Sequence, residues 1–181
     1  MTVLNRNPEN TNLLQPTKFL MSFDRIPDTQ YFLQAANIPG ISCPHIRTST
    51  PGSDYYSAGN KMEYNNLTIT FILDEELLSW RNIHKWFRSF ASPEGTRERN
   101  PLAEIQNPSV KIQKSAYSDA VLTVLTNLNN TNFRIEFHDL FPISLSDIQF
   151  DTRLSAEQTM TADATFMFGY YNIVDTASHS S

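Results

Sequence analysis

A single amphipathic helix, set in a chain otherwise written in period two, constrains the fold of this protein more than any other feature. Within Asp74 to Phe90, DEELLSWRNIHKWFRSF, the residues Leu77, Trp80, Ile83, Phe87 and Phe90 recur at three- and four-residue spacing and make one apolar stripe. Asp74 is placed to cap the start, Glu75 and Glu76 put negative charge in the first turn, and Lys85 and Arg88 put positive charge near the end, so both ends complement the helix dipole. A stripe of this width must be buried against a sheet. Truncating Trp80 is then expected to leave a cavity costing roughly 3 to 5 kcal/mol.

The rest of the chain reads as strands and turns. Phe19, Met21 and Phe23 alternate with polar neighbours, and a second, less regular run from Thr29 to Asn37 centres on Tyr31, Leu33 and Ala35. The intervening DRIPD is compatible with a hairpin turn. Pro44 to Asn66 is polar and aromatic by turns, which suggests a long solvent-directed hairpin or loop with its tip near Pro51 to Asp54. Leu67, Ile69, Phe71 and Leu73 form one face of a strand that feeds the helix. Ala91 to Ser109, with Pro93, Gly95, Pro101 and Pro108, is expected to be an irregular excursion.

Ala120 to Thr126 is apolar on both faces and so belongs in the middle of a sheet or under a neighbour. The turn Asn127 to Asn132 leads to an answering strand through Phe133, Ile135 and Phe137, which Phe141-Pro142 is expected to end. Further strands are expected from Leu145 to Thr152 and, after a short acidic turn, from Met160 to Phe168. The total is about seven or eight strands around one helix, a mainly β sandwich or barrel. The division expected is an Asn-rich arm over 1–16, one domain over 17–174 and a tail over 175–181.

Composition narrows the function. Charged residues make up 18% of the chain, below the ~25% common in soluble domains, and the Asn, Thr and Ser that replace them suit surfaces destined to be covered. A net charge of −5 provides no basic field for nucleic-acid affinity. Cys43 is the single cysteine, so no intrachain disulfide can form and a reducing compartment is expected. No stretch has the character of a signal peptide or a membrane span. The sequons at Asn66 and Asn129 then read as chance.

His45, His84, His138 and His179 are scattered rather than set at ligand spacing, and five glycines are too few for a phosphate loop or a nucleophile elbow. Asp74, Glu75 and Glu76 already have work at the helix start. The expectation is a protein without cofactor, metal or catalytic site. What a solitary domain does not need is a polar-aromatic hairpin (Asp54, Tyr55, Tyr56, Lys61, Glu63, Tyr64), a strand apolar on both faces, and an Asn-rich arm. All three make sense if strand edges pair with neighbouring copies.

From Ala35 onward the order AANIPGIS, a polar hairpin, then AGNKMEYNNLTITFILDEELLSWRNIHKWF, and the closing FRIEFHDLFPISLSDIQFDTRLSAEQTMTADATFMFGYY resembles the tail tube proteins of contractile-tailed bacteriophages. The likeness covers most of the chain after Thr17. It implies a tube-protein-type β fold that oligomerises into a hexameric ring lining a channel, the helix outside, rings stacked axially, sheath or baseplate proteins as partners, and DNA passing through without specific binding. It implies a place in the virion tail, after assembly in the host cytoplasm, with Asp54 and Glu63 facing or bordering the channel. The same fold serves the tube body, the baseplate initiator, the terminator and secretion-system tubes. The long arm and the 91–109 excursion favour a ring at a tube end. The rival readings are a β-sandwich enzyme or ligand-binding protein and a monomeric adaptor or chaperone.

Overall fold

A computed structural model describes residues 12–91, 93, 116–151, 153 and 159–175. Most of the expected arm, nearly all of the 91–109 excursion, most of the acidic turn after Thr152, most of the 175–181 tail and His179 lie outside the described residues. In chain order the elements are β1 (Phe19–Phe23), α1 (Thr29–Phe32), β2 (Leu33–Ala36), β3 (Ile41–Ser42), β4 (His45–Thr50), β5 (Ser53–Ala58), β6 (Glu63–Tyr64), β7 (Leu67–Ile72), α2 (Leu78–Phe90), β8 (Ser118–Leu125), β9 (Thr131–Leu145), β10 (Thr161–Met167) and β11 (Tyr170–Asp175). The fold is mainly β, and the principal sheet runs β1-β8-β9-β10-β7-β2, with β11 also on β9 and every pairing antiparallel.

The 15-residue strand β9 organises this sheet. Its first half pairs with β8 and β11, and its second half pairs with β10. Between the halves, Ala120 pairs with Phe137 but Ser118 pairs with Leu140, so His138 and Asp139 together face Asp119. That is a β-bulge, and one extra residue turns every later side chain to the other face. The buried positions accordingly switch from Ile135 and Phe137 to Leu140 and Pro142. Asp139 takes a left-handed conformation, φ 57°, to make the corner.

The core lies between the two halves of the bent sheet. Met21, Phe23, Ala120, Leu122, Ile135 and Phe137 come from one half, and Leu67, Ile69, Phe71, Ala162, Ala164 and Phe166 from the other. Alternation in β1, β7, β8 and β10 places these residues inward, as period two requires. Helix α2 adds Ile83 and Trp86, and Trp86 meets Phe166 with ring centroids 5.8 Å apart. Arg25 caps the same indole at 5.4 Å, and burial lowers its guanidinium below the ordinary value.

Several expectations are corrected. The helix begins at Leu78 rather than Asp74, because Leu77 adopts φ 53°; Asp74 still serves it, its carboxylate accepting the Leu78 N–H at 2.9 Å, while Glu75 and Glu76 precede the first turn. Leu77 therefore lies outside the helix. Of the expected stripe Ile83 is fully buried, Trp80, Phe87 and Phe90 are partly buried against the core, and the deepest aromatic is Trp86, which the stripe omitted.

Thr29 to Phe32 is a helical turn, entered through a tight turn in which the Thr29 and Gln30 amides donate to the Ile26 and Pro27 carbonyls and Pro27 takes the second position, where its fixed φ is favoured. DRIPD is not a hairpin turn: β1 pairs with β8 and β2 with β7, at opposite ends of the sheet. Phe141-Pro142 does not end β9. The proline sits beside a further register shift opposite Thr165 and Phe166, where its missing N–H is tolerated. From Ser146 to Asp151 no strand forms. The Asp163 amide donates to the Ser146 hydroxyl at 2.9 Å, and Asp147 and Asp151 bond locally to Gln149 and Arg153, which competes with a ladder. The described residues hold eleven strands, several of them two to four residues long.

Candidate functional site

β4 and β5 form a two-stranded sheet of their own, closed by Pro51-Gly52 with Gly52 at φ 117°, the conformation a Pro-Gly turn demands. Eleven of its twelve strand residues are exposed, Asp54 alone being intermediate. Pairing fixes its two faces. His45, Arg47, Asp54 and Tyr56 share one, held by an Arg47–Asp54 ion pair of 2.6 Å and a His45–Tyr56 ring contact of 5.3 Å. Ile46 and Tyr55 lie on the other, 59% and 64% exposed. A ribbon with apolar groups bare on both faces is unusual for a surface that stays in water.

The ribbon joins the body at a narrow neck. A Cβ on Gly59 would come 2.0 Å from the Pro44 carbonyl oxygen, so only glycine fits there, and the exposed Cys43 thiol points at the Gly59 carbonyl from 3.4 Å. Past the neck the remaining expected hairpin residues separate. Lys61 is exposed in the connection, and Glu63 is exposed in β6, paired with Ser42 of β3. Tyr64 does not project: its ring packs on Phe168 at 5.5 Å and Tyr171 at 5.2 Å, in a cluster with Phe137. Tyr171 in turn donates to the Pro39 carbonyl at 3.3 Å, tying the root of the ribbon to β11.

Strand edges form the second part of the site. Among the described residues β1 pairs only with β8, β2 only with β7 and β11 only with β9. Exposed apolar side chains accompany these edges: Leu20 on β1, Ile173 and Val174 on β11, with Ile38 just beyond β2. The outward face of β7 and β10 is largely uncharged, with Thr68, Thr70, Thr161 and Thr165 around Asp163, whose carboxylate accepts the Thr70 hydroxyl at 2.6 Å. Three of these edges offer unpaired main-chain groups on a polar body. Open edges of this kind are the type of surface that a further strand can extend.

Among the described residues no three His, Cys, Asp or Glu side chains gather as a metal-binding group. A shallow apolar concavity before α2, lined by Leu73, Leu77, Ile148, Phe150 and Met160, has Asp74 and Glu75 at its rim. Beside it the Arg153 guanidinium grips Asp151 in a two-pronged pair at 3.0 and 2.8 Å, holding that carboxyl below its usual range. Among the described residues no helix is long and apolar enough to cross a membrane. Sequence reasoning missed β11 and its Tyr170 and Tyr171, although YYNIV is a β-branched and aromatic run.

Comparison with known proteins agrees with this geometry. The profile of the family described as phage tail tube protein matches residues 10–174. The tail tube terminator protein of Enterobacteria phage T4 is 24% identical over 171 residues, covering 90% of this chain and 89% of that protein. Among solved structures, the tube terminating cap of the anti-feeding prophage superposes with a TM-score of 0.65 at 12% identity, over 97% of this chain and 99% of the other. A chain of the sheath/tube terminator of an extracellular contractile injection system superposes with a TM-score of 0.55 at 16% identity, over 91% and 99%.

Proposed function

Because this chain belongs to the phage tail tube protein family, we propose that it forms a closed homo-oligomeric ring of about six copies that caps one end of a tail tube. Membership makes it a structural component of a phage tail, in a family that gives no support to an enzyme reading. The observation that carries the ring is the set of open edges: β1, β2 and β11 each have one partner among the described residues, and β4–β5 has only itself. Closing a ring from copies related by rotation pairs each open edge with the next and removes the unsatisfied main-chain groups. The position at an end is supported by the near end-to-end alignment with a protein named for that role.

In this ring the body is the unit over 17–174, and the arm over 1–16 and the tail over 175–181 are accessory segments for neighbours that differ on the two faces. The hairpin and Glu63 border the channel, where Asp54 and Glu63 present acidic groups toward any duplex that passes. Phosphates are repelled by such a lining, so DNA slides without being bound. Sheath or tube proteins cover the outer and axial faces, and assembly takes place in the host cytoplasm. A ring of the tube body has the same subunit geometry, and the family profile favours it equally. Quantitative mass spectrometry of purified tails separates the two: about six copies per particle mark an end ring, whereas a tube body needs many times that number. Absence of the chain from tails overturns both.

A further inference from the structure

We propose that the outward face of α2 is a docking surface for an acidic segment of another tail protein, an inference that rests on the ring proposed above. The helix buries Ile83, Trp86 and Ser89, and its other side carries Arg81, His84, Lys85 and Arg88, spaced so that each stands over the next along one face. No Asp or Glu lies within the helix. Arg81 and Lys85 are both exposed, four residues apart and of like charge, a pairing that weakens a helix left in water. The helix dipole accounts for Lys85 and Arg88 near the C-terminal end. It does not account for Arg81, which lies in the first turn, where positive charge is disfavoured. Nor is the stripe a sample of a basic surface, since the chain carries a net charge of −5. Other described bases have partners, Arg47 with Asp54, Arg153 with Asp151 and Arg25 over Trp86, whereas among the described residues no ion pair engages Arg81 or Lys85.

An apolar hollow adjoins the start of this stripe. The Trp80 indole N–H donates to the Ser146 carbonyl at 3.2 Å, which holds the segment after β9 against the first turn of α2. That segment brings Ile148 and Phe150 together with Leu77, and the Phe150 ring is 81% exposed. Asp74 and Glu75 border the hollow on the side that precedes the helix. Charge is therefore ordered along the surface, with acid before the hollow and base after it. The occupant selected by this order sets one or two apolar side chains in the hollow and runs carboxylates along α2, over the roughly 10 Å from Arg81 to Arg88. Duplex DNA fits poorly, because the acids at the hollow repel phosphate and one short stripe releases few counterions. A sister copy of the same ring fits poorly too, because α2 offers no strand edge and the open edges belong to β1, β2 and β11.

Carbodiimide treatment of purified tails tests the contact directly, since it joins the Lys85 amine to a carboxylate that it touches, forming an amide while the carbodiimide takes up the departing oxygen as a urea. Peptide mass spectrometry is expected to find Lys85 linked to an Asp or Glu of a different tail protein. The double variant Arg81→Glu, Lys85→Glu should still form rings in mass photometry yet enter tails at least about tenfold less in a complementation assay, because it sets like charges against each other across the contact. Arg81→Lys with Lys85→Arg keeps both charges and should enter normally. Lys85 linked only to carboxylates of this chain, or to none, overturns the docking surface. So does normal tail entry of the charge-reversed variant, loss of its rings, or duplex DNA that the wild-type chain retains and the reversed variant releases. The two readings fail separately: wild-type chain present in tails as isolated copies sinks the ring, and the Lys85 linkage is still read on its own.

Discussion

Replacing Trp86 by alanine tests the packing of the helix on the sheet at its most consequential point. Trp86 is 1% exposed, its ring meets Phe166 and Arg25, and its indole N–H donates to the Ala116 carbonyl at 2.7 Å. Truncation removes the largest side chain in the core, worth roughly 3 to 5 kcal/mol for a Trp or Phe to Ala change. Loss of the indole donor adds about 1 kcal/mol, since Ala116 is only partly buried and water can reach its carbonyl. A total of about 4 to 6 kcal/mol is a large share of the ~5 to 15 kcal/mol available to a domain. It corresponds to a fall in Tm of roughly 10 to 20 °C at this size.

Trp80 provides the internal control. It is partly buried, stacks on His84 with centroids 5.4 Å apart, and donates to the Ser146 carbonyl at 3.2 Å. Trp80→Ala should cost only about 1 to 2 kcal/mol. Urea denaturation followed by circular dichroism gives both numbers, and each variant keeps the other of the two tryptophans as a fluorescent reporter. If Trp80→Ala destabilises as much as Trp86→Ala, the helix is seated differently from this description.

Gly59→Ala should leave the Tm of the isolated chain within a few degrees yet abolish rings in mass photometry, because the clash with the Pro44 carbonyl twists the ribbon and not the core. Asp54→Lys breaks the pair with Arg47 and places a cation at the proposed channel; retention of DNA fragments by assembled rings in a gel-shift assay should rise and should weaken steeply with salt. Arg153→Ala should return the Asp151 carboxyl toward its ordinary value, read by carbon NMR. With Arg153 present, the depressed carboxyl lends its small stabilisation above the ordinary carboxylate range and loses it as pH falls through the lowered value.

Where alternation was clean, the sequence was enough: β7 and β10 bury every second residue, β1 buries Met21 and Phe23, and the hairpin tip falls at Pro51-Gly52, whereas β8, apolar on both faces in sequence, shows its inward side only once its partners are known. Trp86 was also legible, three residues after Ile83 and four before Phe90, had the stripe been drawn through it. The bulge at His138 and Asp139 was not, because period two assumes an unbroken ladder and a one-residue slip is invisible until the partner strand is known. That slip hid the continuation of β9 through Pro142. Tyr64 looked like part of the ribbon because local sequence does not reveal that Phe168 and Tyr171, far along the chain, would receive its ring. The open edges of β1 and β2 likewise emerge only from the strand order.

The central claim is that main-chain groups left open in one copy are satisfied by the next. Electron cryo-microscopy of the assembled tail at a resolution that traces the backbone tests it most directly. The account predicts a closed ring of this chain in which the edges of β1, β2 or β11 hydrogen-bond to adjacent copies and the β4–β5 ribbons border the central opening. A tail in which each copy stands apart, with those edges solvated and the ribbons folded back on their own subunit, would contradict it.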